Sequence, residues 1–396
     1  MRGVSAFVWA AFSIVMFVNV ASATRINNYA FQYCLALSEL SLPEATQIGG
    51  YVFQYDYELS RIYAPKVTTL GTRAFWACGN RLEIELPSLV SVAQQAFDSC
   101  DLASISLPIA TSIGQQAFYK TASPIAIYAP LVSSIGNSAF NNSAIEVASF
   151  PLLTSIGANA FQNSKITHID CPKLTTIGQY AFYSCASLTE AIFPKCTTLG
   201  GTQVFQYCTS LATASLPLLT EIKNSAFLNC SNLKDINFPL VTVIREHAFE
   251  NCTSLKEVTF NNTTNIEQYV FQGCTALETA NLPDQTAMSG SMFKNCSSLE
   301  NVNIPNVTGV YQYAFENCTS LRSISIPKAT TLQNYCFRGC TSLEKIYLGS
   351  TPPSVTGNPF SGLTLTVYYL GGNSDWDSVI QNPNWGGATN ITYLQY

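Results

Sequence analysis

The sequence predicts a β-rich solenoid of about fifteen stacked repeats, each of 21–23 residues with short parallel strands and helical turns. Three observations carry this. Phenylalanine returns at a nearly fixed step, from Phe31, Phe53 and Phe75 through Phe182 to Phe315 and Phe337. Proline keeps the same period, as at Pro65, Pro87, Pro130, Pro217 and Pro305, and an alternating apolar segment stands before each proline. A unit this short cannot bury an aromatic ring alone, so adjacent units must cover one another.

Residues 1–23 come first and differ from the rest. Arg2 supplies a positive start, Val4 to Val20 is almost wholly apolar, and Ala21, Ser22 and Ala23 form a small-residue cleavage site. That is the pattern of a secretory signal peptide. No second apolar stretch is long enough to span a bilayer, so the segment after Ala23 is expected to be exported without a membrane span.

Residues 24–348 form the repeat region. In the copy that starts at Ala314, Leu321, Ile324 and Ile326 place apolar side chains on one side of an extended segment, with the two-residue alternation of a half-buried strand. Pro327 ends it, because proline has no donor for a ladder. A second short strand follows, as in Leu174 to Ile177, and Gly178 is expected to open a turn at positive φ. The segment Gln179 to Phe182 suits a helical turn. Residues 349–396 leave the period, with Trp376 and Trp385 among glycines, and read as a C-terminal capping segment.

The recurring string F-x-x-C-x-x-L-x-x-I-x-I-P-x-x-x-T-x-I-G-x-x-A-F resembles the leucine-rich repeat of BspA-like surface proteins over about residues 26 to 350. The resemblance implies a leucine-rich-repeat solenoid on a secreted or cell-surface protein, of a kind associated with adhesion.

Composition narrows the function. Of 396 residues, 47% are apolar and 11% charged, well under the usual quarter, so Ser, Thr, Asn and Gln must make the surface. A net charge of -5 offers no basic footprint and excludes a nucleic-acid partner. Fourteen cysteines invite a disulfide reading, but eleven stand three residues after the repeat phenylalanine. Asp56, Thr121, Ser143 and Ser164 occupy the same column. Disulfide partners do not exchange so freely, and free cysteine fills a core like a small hydrophobe; no disulfide is expected. The two histidines, His168 and His247, lack a partner at motif spacing and read as solvated. No catalytic residue, metal site or cofactor is assigned.

The outward residue of each strand forms the candidate ligand-binding strip: Tyr63, Ser106, Tyr128, Ser149, Asp170, Ser215, Asn237, Thr259, Asn281, Asn303, Ser325 and Tyr347. Hydroxyls and amides interspersed with tyrosine suit recognition of an extracellular protein or glycan. The expected function is a secreted or cell-surface binding or adhesion module. The alternative is a structural or ice-binding surface protein, suggested by the Thr/Ser column after each proline, including Thr68, Thr111, Thr175 and Thr242. A carbohydrate-active enzyme would need clustered carboxylates, which the columns lack. Asn390, Asn141 and Asn261 are candidate glycosylation acceptors; Asn229, Asn251, Asn295 and Asn317 share a column with Gly273 and Gly339 and suit a left-handed turn instead.

Overall fold

The computed structural model describes residues 16–396. The first fifteen residues of the expected signal peptide lie outside the described residues. The chain divides into two compact units, the first ending at Cys208 and the second running from Thr209 to Tyr396.

In the first unit every turn of chain contributes one strand of three to five residues and one of two residues, and like strands pair in parallel. Met16–Asn19, Leu37–Ser41, Arg61–Tyr63, Leu82–Glu85 and Leu102–Ser106 form one sheet, and Ile125–Tyr128, Ile145–Ser149 and His168–Asp170 a second. The two-residue strands make a nine-stranded sheet from Arg25–Ile26 to Thr198–Leu199. Alternation does what the sequence pattern requires: in Arg61–Tyr63 the outer residues are exposed and Ile62 is buried.

The second unit repeats the scheme. Thr213–Ser215 pairs with Asp235–Asn237. Glu257–Thr259, Thr279–Asn281 and Asn301–Asn303 form a three-stranded sheet, and Ser323–Ser325, Lys345–Leu348, Thr364–Tyr369 and Asn390–Gln395 a four-stranded one. The repeat pattern therefore runs beyond the expected boundary at residue 348. Ser354–Val355 pairs with Thr331–Leu332, and Phe360 stacks on Phe337 at 5.8 Å, so one more degenerate turn follows residue 348. Trp376, buried, packs on Tyr369, and Trp385 lies 5.6 Å from Phe360. Together they close the end of the aromatic column.

Phenylalanine rings stack in both units. Centroids from Phe53 to Phe205 are separated by 4.9–5.3 Å, and those from Phe227 to Phe337 by 5.4–5.7 Å. The rings are fully buried apart from Phe31 at the start.

The arc carrying each phenylalanine differs from the expected helical turn. Around Phe182, the residues two before and two after, Tyr180 and Ser184, both have φ of 55°. With left-handed residues at Tyr180 and Ser184, the amides of Tyr180, Phe182 and Ser184 point at carbonyls of the next turn of chain, Phe182 donating to Val204 at 2.9 Å and Ser184 to Gln206 at 2.8 Å. Amides of Tyr183 and Cys185 close local turns onto Tyr180 and Phe182. A helix would have spent those donors within its own segment, so stacking wins over local helicity. The short helix Asp375–Val379 and the 3-10 turn Trp385–Gly387 are the helical elements among the described residues, and both lie beyond residue 374.

Gly178 corrects a second expectation, since the positive φ falls on Tyr180 instead. Its missing side chain serves close approach. A Cβ there would lie 2.6 Å from the Ala158 nitrogen and the Gly157 carbonyl carbon, because backbones of adjacent turns touch along this column.

Candidate functional site

The two-residue alternation presents two outward residues per rung on the longer strands. The sequence strip is the second of these columns. Tyr63, Ser106, Tyr128 and Asp170 are exposed and Ser149 is half-buried in the first unit; Asn237, Thr259, Asn303 and Ser325 are exposed and Ser215, Asn281 and Tyr347 half-buried in the second. The other outward column, two residues earlier, was not singled out beyond its charges. Strand alternation alone was the signal that could have found Thr279, Asn301 and Ser323.

The first unit's face mixes charges with exposed apolar groups. Arg61 stands between Glu39 and Glu83 on neighbouring strands. Tyr63 is 51% and Tyr128 64% exposed, and Val147 and Ile192 also face solvent. Rings that remain in water have no packing role to explain them.

The second unit's face is neutral over its central rungs. Thr279 and Asn281, Asn301 and Asn303, and Ser323 and Ser325 are consecutive outward pairs. They line a depression of about 500 Å³ together with Glu257, Glu300 and Tyr347. Asn303 donates through Nδ2 to Asn281 Oδ1 at 2.7 Å, Asn281 to Asn261 Oδ1 at 3.4 Å, and Asn237 to Ser215 Oγ at 3.0 Å. Tyr347 stacks on Tyr368 at 4.7 Å, and Tyr396 meets Tyr347 edge-on.

The cysteine column is core. Cys252, Cys274, Cys296, Cys318 and Cys340 are fully buried, and each thiol lies 3.0–3.2 Å from the carbonyl of a phenylalanine one turn back. Their thiols are not joined in disulfides. Burial pushes the Cys274 thiol up to about 12, which leaves it protonated and unreactive at neutral pH. Column substitutes in the first unit fare worse: Thr121 Oγ1, Ser143 Oγ and Asp56 Oδ2 are buried without a hydrogen-bond partner. Asp56 Oδ1 accepts the Cys34 amide at 2.7 Å, yet burial dominates and raises its carboxyl to about 8.

His168 is exposed on its strand. His247 is partnered, contrary to expectation: Nδ1 lies 2.6 Å from Glu250 Oε2, and the ring stacks on Tyr269 at 4.8 Å. The left-handed φ of 58° at His247 turns its side chain onto the third residue ahead. Among the described residues no cluster of three His, Cys, Asp or Glu could hold a metal.

The Thr/Ser column, one residue before each short strand, is a set of rung clamps. Thr68, Thr175, Thr242 and Thr330 donate their hydroxyls to carbonyls of the preceding turn at 2.9–3.3 Å. As for the sequons, Asn141 is buried and its Nδ2, the atom a glycan would occupy, donates to Gln162 at 3.1 Å. Asn261 and Asn390 are exposed. Asn229, Asn251, Asn295 and Asn317 have φ of 58–63°, the left-handed geometry that their shared column with glycine suggests.

Parallel rungs closing on stacked phenylalanines, with a short strand that turns an apolar residue inward in each turn, define a leucine-rich-repeat β-solenoid. The model of the BspA type leucine rich repeat region, in six copies, matches residues 3–125, 133–256, 220–344 and 264–374. The chain belongs to that family. No curated protein matches the chain significantly. Among solved structures, a leucine-rich repeat protein from Bacteroides ovatus shares the fold at a TM-score of 0.62 and 22% identity, over 98% of this chain and 94% of that one. A leucine rich cell surface protein from Faecalibacterium prausnitzii matches at 0.35 and 20%, over 93% and 83%. The pneumococcal vaccine antigen PcpA matches at 0.46 and 14%, over 95% and 96%. No helix among the described residues is long and apolar enough to cross a membrane.

Proposed function

We propose that this chain is an exported or cell-surface adhesion module that engages an extracellular protein or glycan through the outward columns of its longer strands. The leader at residues 1–23 directs export, and cleavage after Ala23 yields a chain that starts at Thr24. In the uncleaved chain Met16–Asn19 pairs with Leu37–Ser41, so cleavage uncovers that strand edge.

The observation that carries the reading is the exposure of Tyr63 and Tyr128. The inward columns are used by the fold, the threonine hydroxyls are used between rungs, and the thiols are buried. The outward columns are left free to vary, and they vary toward tyrosine, asparagine and serine, the residues of adaptable recognition surfaces. Solenoids of stacked repeats use such extended faces for binding. The ice-binding alternative is weakened by the threonine clamps, whose hydroxyl protons point at backbone carbonyls and not at solvent.

Binding of the mature chain to immobilised matrix proteins and to a glycan array tests the proposal. Tyr63→Ala combined with Tyr128→Ala is expected to weaken adhesion to a protein ligand at least tenfold, with the melting temperature unchanged. Wild-type adhesion that survives the double change moves the site off this strip, and thermal hysteresis of the purified protein would favour the alternative.

A further inference from the structure

The second unit's outward face differs in chemistry from the first, and the difference names a ligand class. We propose that the depression over Thr279, Asn281, Asn301, Asn303, Ser323 and Ser325 binds a neutral oligosaccharide. The inference rests on the reading of the outward columns as the ligand-facing surface and goes further by assigning the chemistry of one part of it.

Four features support it. First, the six grid residues offer only hydroxyls and amides, groups that both donate and accept, as ring hydroxyls of a sugar require. Second, two of the three grid amides, Asn281 and Asn303, are oriented before any ligand arrives. Asn303 donates to Asn281, and Asn281 to Asn261, so each amide plane is fixed and little rotamer freedom remains to be lost on binding. Third, an aromatic ring stands at one end. Tyr368 covers one face of the Tyr347 ring at 4.7 Å with only 16° between the planes. Tyr347 lies on the strand between Ser325 and Tyr368, so its other face is turned toward the Ser325 rung, where a sugar ring could stack its C–H groups. Fourth, the charged groups lining the depression are Glu257 and Glu300. They repel sulfated or uronic-acid chains and accept hydrogen bonds from the hydroxyls of a neutral one.

A protein partner is less well served by this patch. Apart from the half-buried Tyr347, the depression presents no large exposed apolar side chain of the kind that anchors protein interfaces, whereas the first unit's face supplies exposed Tyr63, Tyr128, Val147 and Ile192. A basic peptide drawn by the two glutamates is the competing occupant, and the test includes it.

The experiment presents the mature full-length chain to a broad array of neutral oligosaccharides built from glucose, mannose, galactose and N-acetylglucosamine. A heparin tetrasaccharide and an oligolysine peptide serve as comparators, and hits are measured by calorimetry. At least one neutral tetrasaccharide should bind, and Asn281→Ala with Asn303→Ala should weaken it tenfold or more while the melting temperature changes little. Tyr347→Phe keeps the ring and should retain binding. Tyr63→Ala with Tyr128→Ala should leave sugar binding unchanged, which separates this inference from the protein-adhesion reading. Absence of any neutral hit, binding confined to heparin or oligolysine, or sugar binding indifferent to the asparagine pair would each overturn the assignment. Protein adhesion through Tyr63 and Tyr128 in any of those cases would leave the broader reading standing.

Discussion

From Cys230 to Cys340 the residue three after each phenylalanine of the second unit is cysteine without interruption, whereas Asp56, Thr121, Ser143 and Ser164 break the same column in the first. The left-handed position two after the phenylalanine follows suit. In the second unit it holds Asn229, Asn251, Gly273, Asn295, Asn317 and Gly339; in the first it holds asparagine only at Asn142 and Asn163 and otherwise Tyr33, Tyr55, Ala77, Ser99, Lys120, Ser184 and Tyr207. Asparagine and glycine tolerate that conformation and the others are strained in it. Register tells the same story, since the irregularities in strand pairing at Met16/Phe17, Leu82/Glu83 and Ile125/Ala126 all lie in the first unit. The outward columns run the other way, richer in charge and aromatic surface where the inward ones are less regular. Positions that touch the next turn of chain are constrained by stacking; positions that face water are not, and these are where recognition can diversify.

The largest effect should be shared by both units, because the phenylalanine column is intact in each. Phe118→Ala and Phe271→Ala are each expected to cost about 3–5 kcal/mol, read by chemical denaturation with peptide-resolved hydrogen exchange to place the loss. A mutant that melts like wild type in either unit would break the claim of a common spine.

Next comes Asp56, which should make the first unit lose stability as pH rises. Its carboxyl rises from 3.8 to about 8 through burial. Between those values the folded chain holds a proton that the unfolded chain has released. Stability from this group is therefore full below about pH 4, falls as pH rises toward 8, and levels off above, a change on the order of a few kcal/mol. Asp56→Cys restores the column and should flatten that slope in the first unit's exchange profile, leaving the smaller part due to Asp98, whose carboxyl burial also raises; an unchanged slope would show that the Asp56 carboxyl is not the cause.

Smaller effects should sharpen the contrast at the left-handed positions. Lys120 has φ of 54° and Gly273 φ of 74°, and a Cβ on Gly273 would meet Asn251 Oδ1. Lys120→Asn should stabilise by about 1 kcal/mol and Gly273→Ala destabilise by about 1–2 kcal/mol. Opposite signs in the denaturation midpoints would reverse the comparison. Comparable to the Lys120 change is Thr121→Cys, which replaces an unpartnered buried hydroxyl and should gain about 1 kcal/mol in the same assay.

Much of this architecture is legible in the sequence because it repeats. A column that recurs fifteen times identifies Phe249 as core and Cys274 as filler without any coordinates, and the outward position of Tyr63 follows from two-residue alternation. What was missed is what a period does not encode. The sequence segment around Phe182 reads as helical because its residues have no strong turn signature, and only the carbonyls of the next turn of chain explain why Tyr180 and Ser184 turn left-handed. His247 meets Glu250 for the same reason. The neutral grid was half visible: Asn281 and Asn303 stood in the strip, but Thr279, Asn301 and Ser323 became its neighbours once the strand pairs were in register. Phe360 was hidden by its degenerate surroundings.

Hydrogen exchange of the unliganded chain, resolved to the arcs around each phenylalanine, tests most directly the claim that inward-column regularity sets how firmly the rungs hold. The Asn251 amide, bonded to Gln272 at 2.8 Å, and the Lys120 amide, bonded to Asn141 at 3.0 Å, are matched reporters. The account predicts that Asn251 and its counterparts in the second unit exchange about tenfold or more slowly than Lys120 and its counterparts in the first. Equal protection in the two units, or slower exchange in the first, would contradict it.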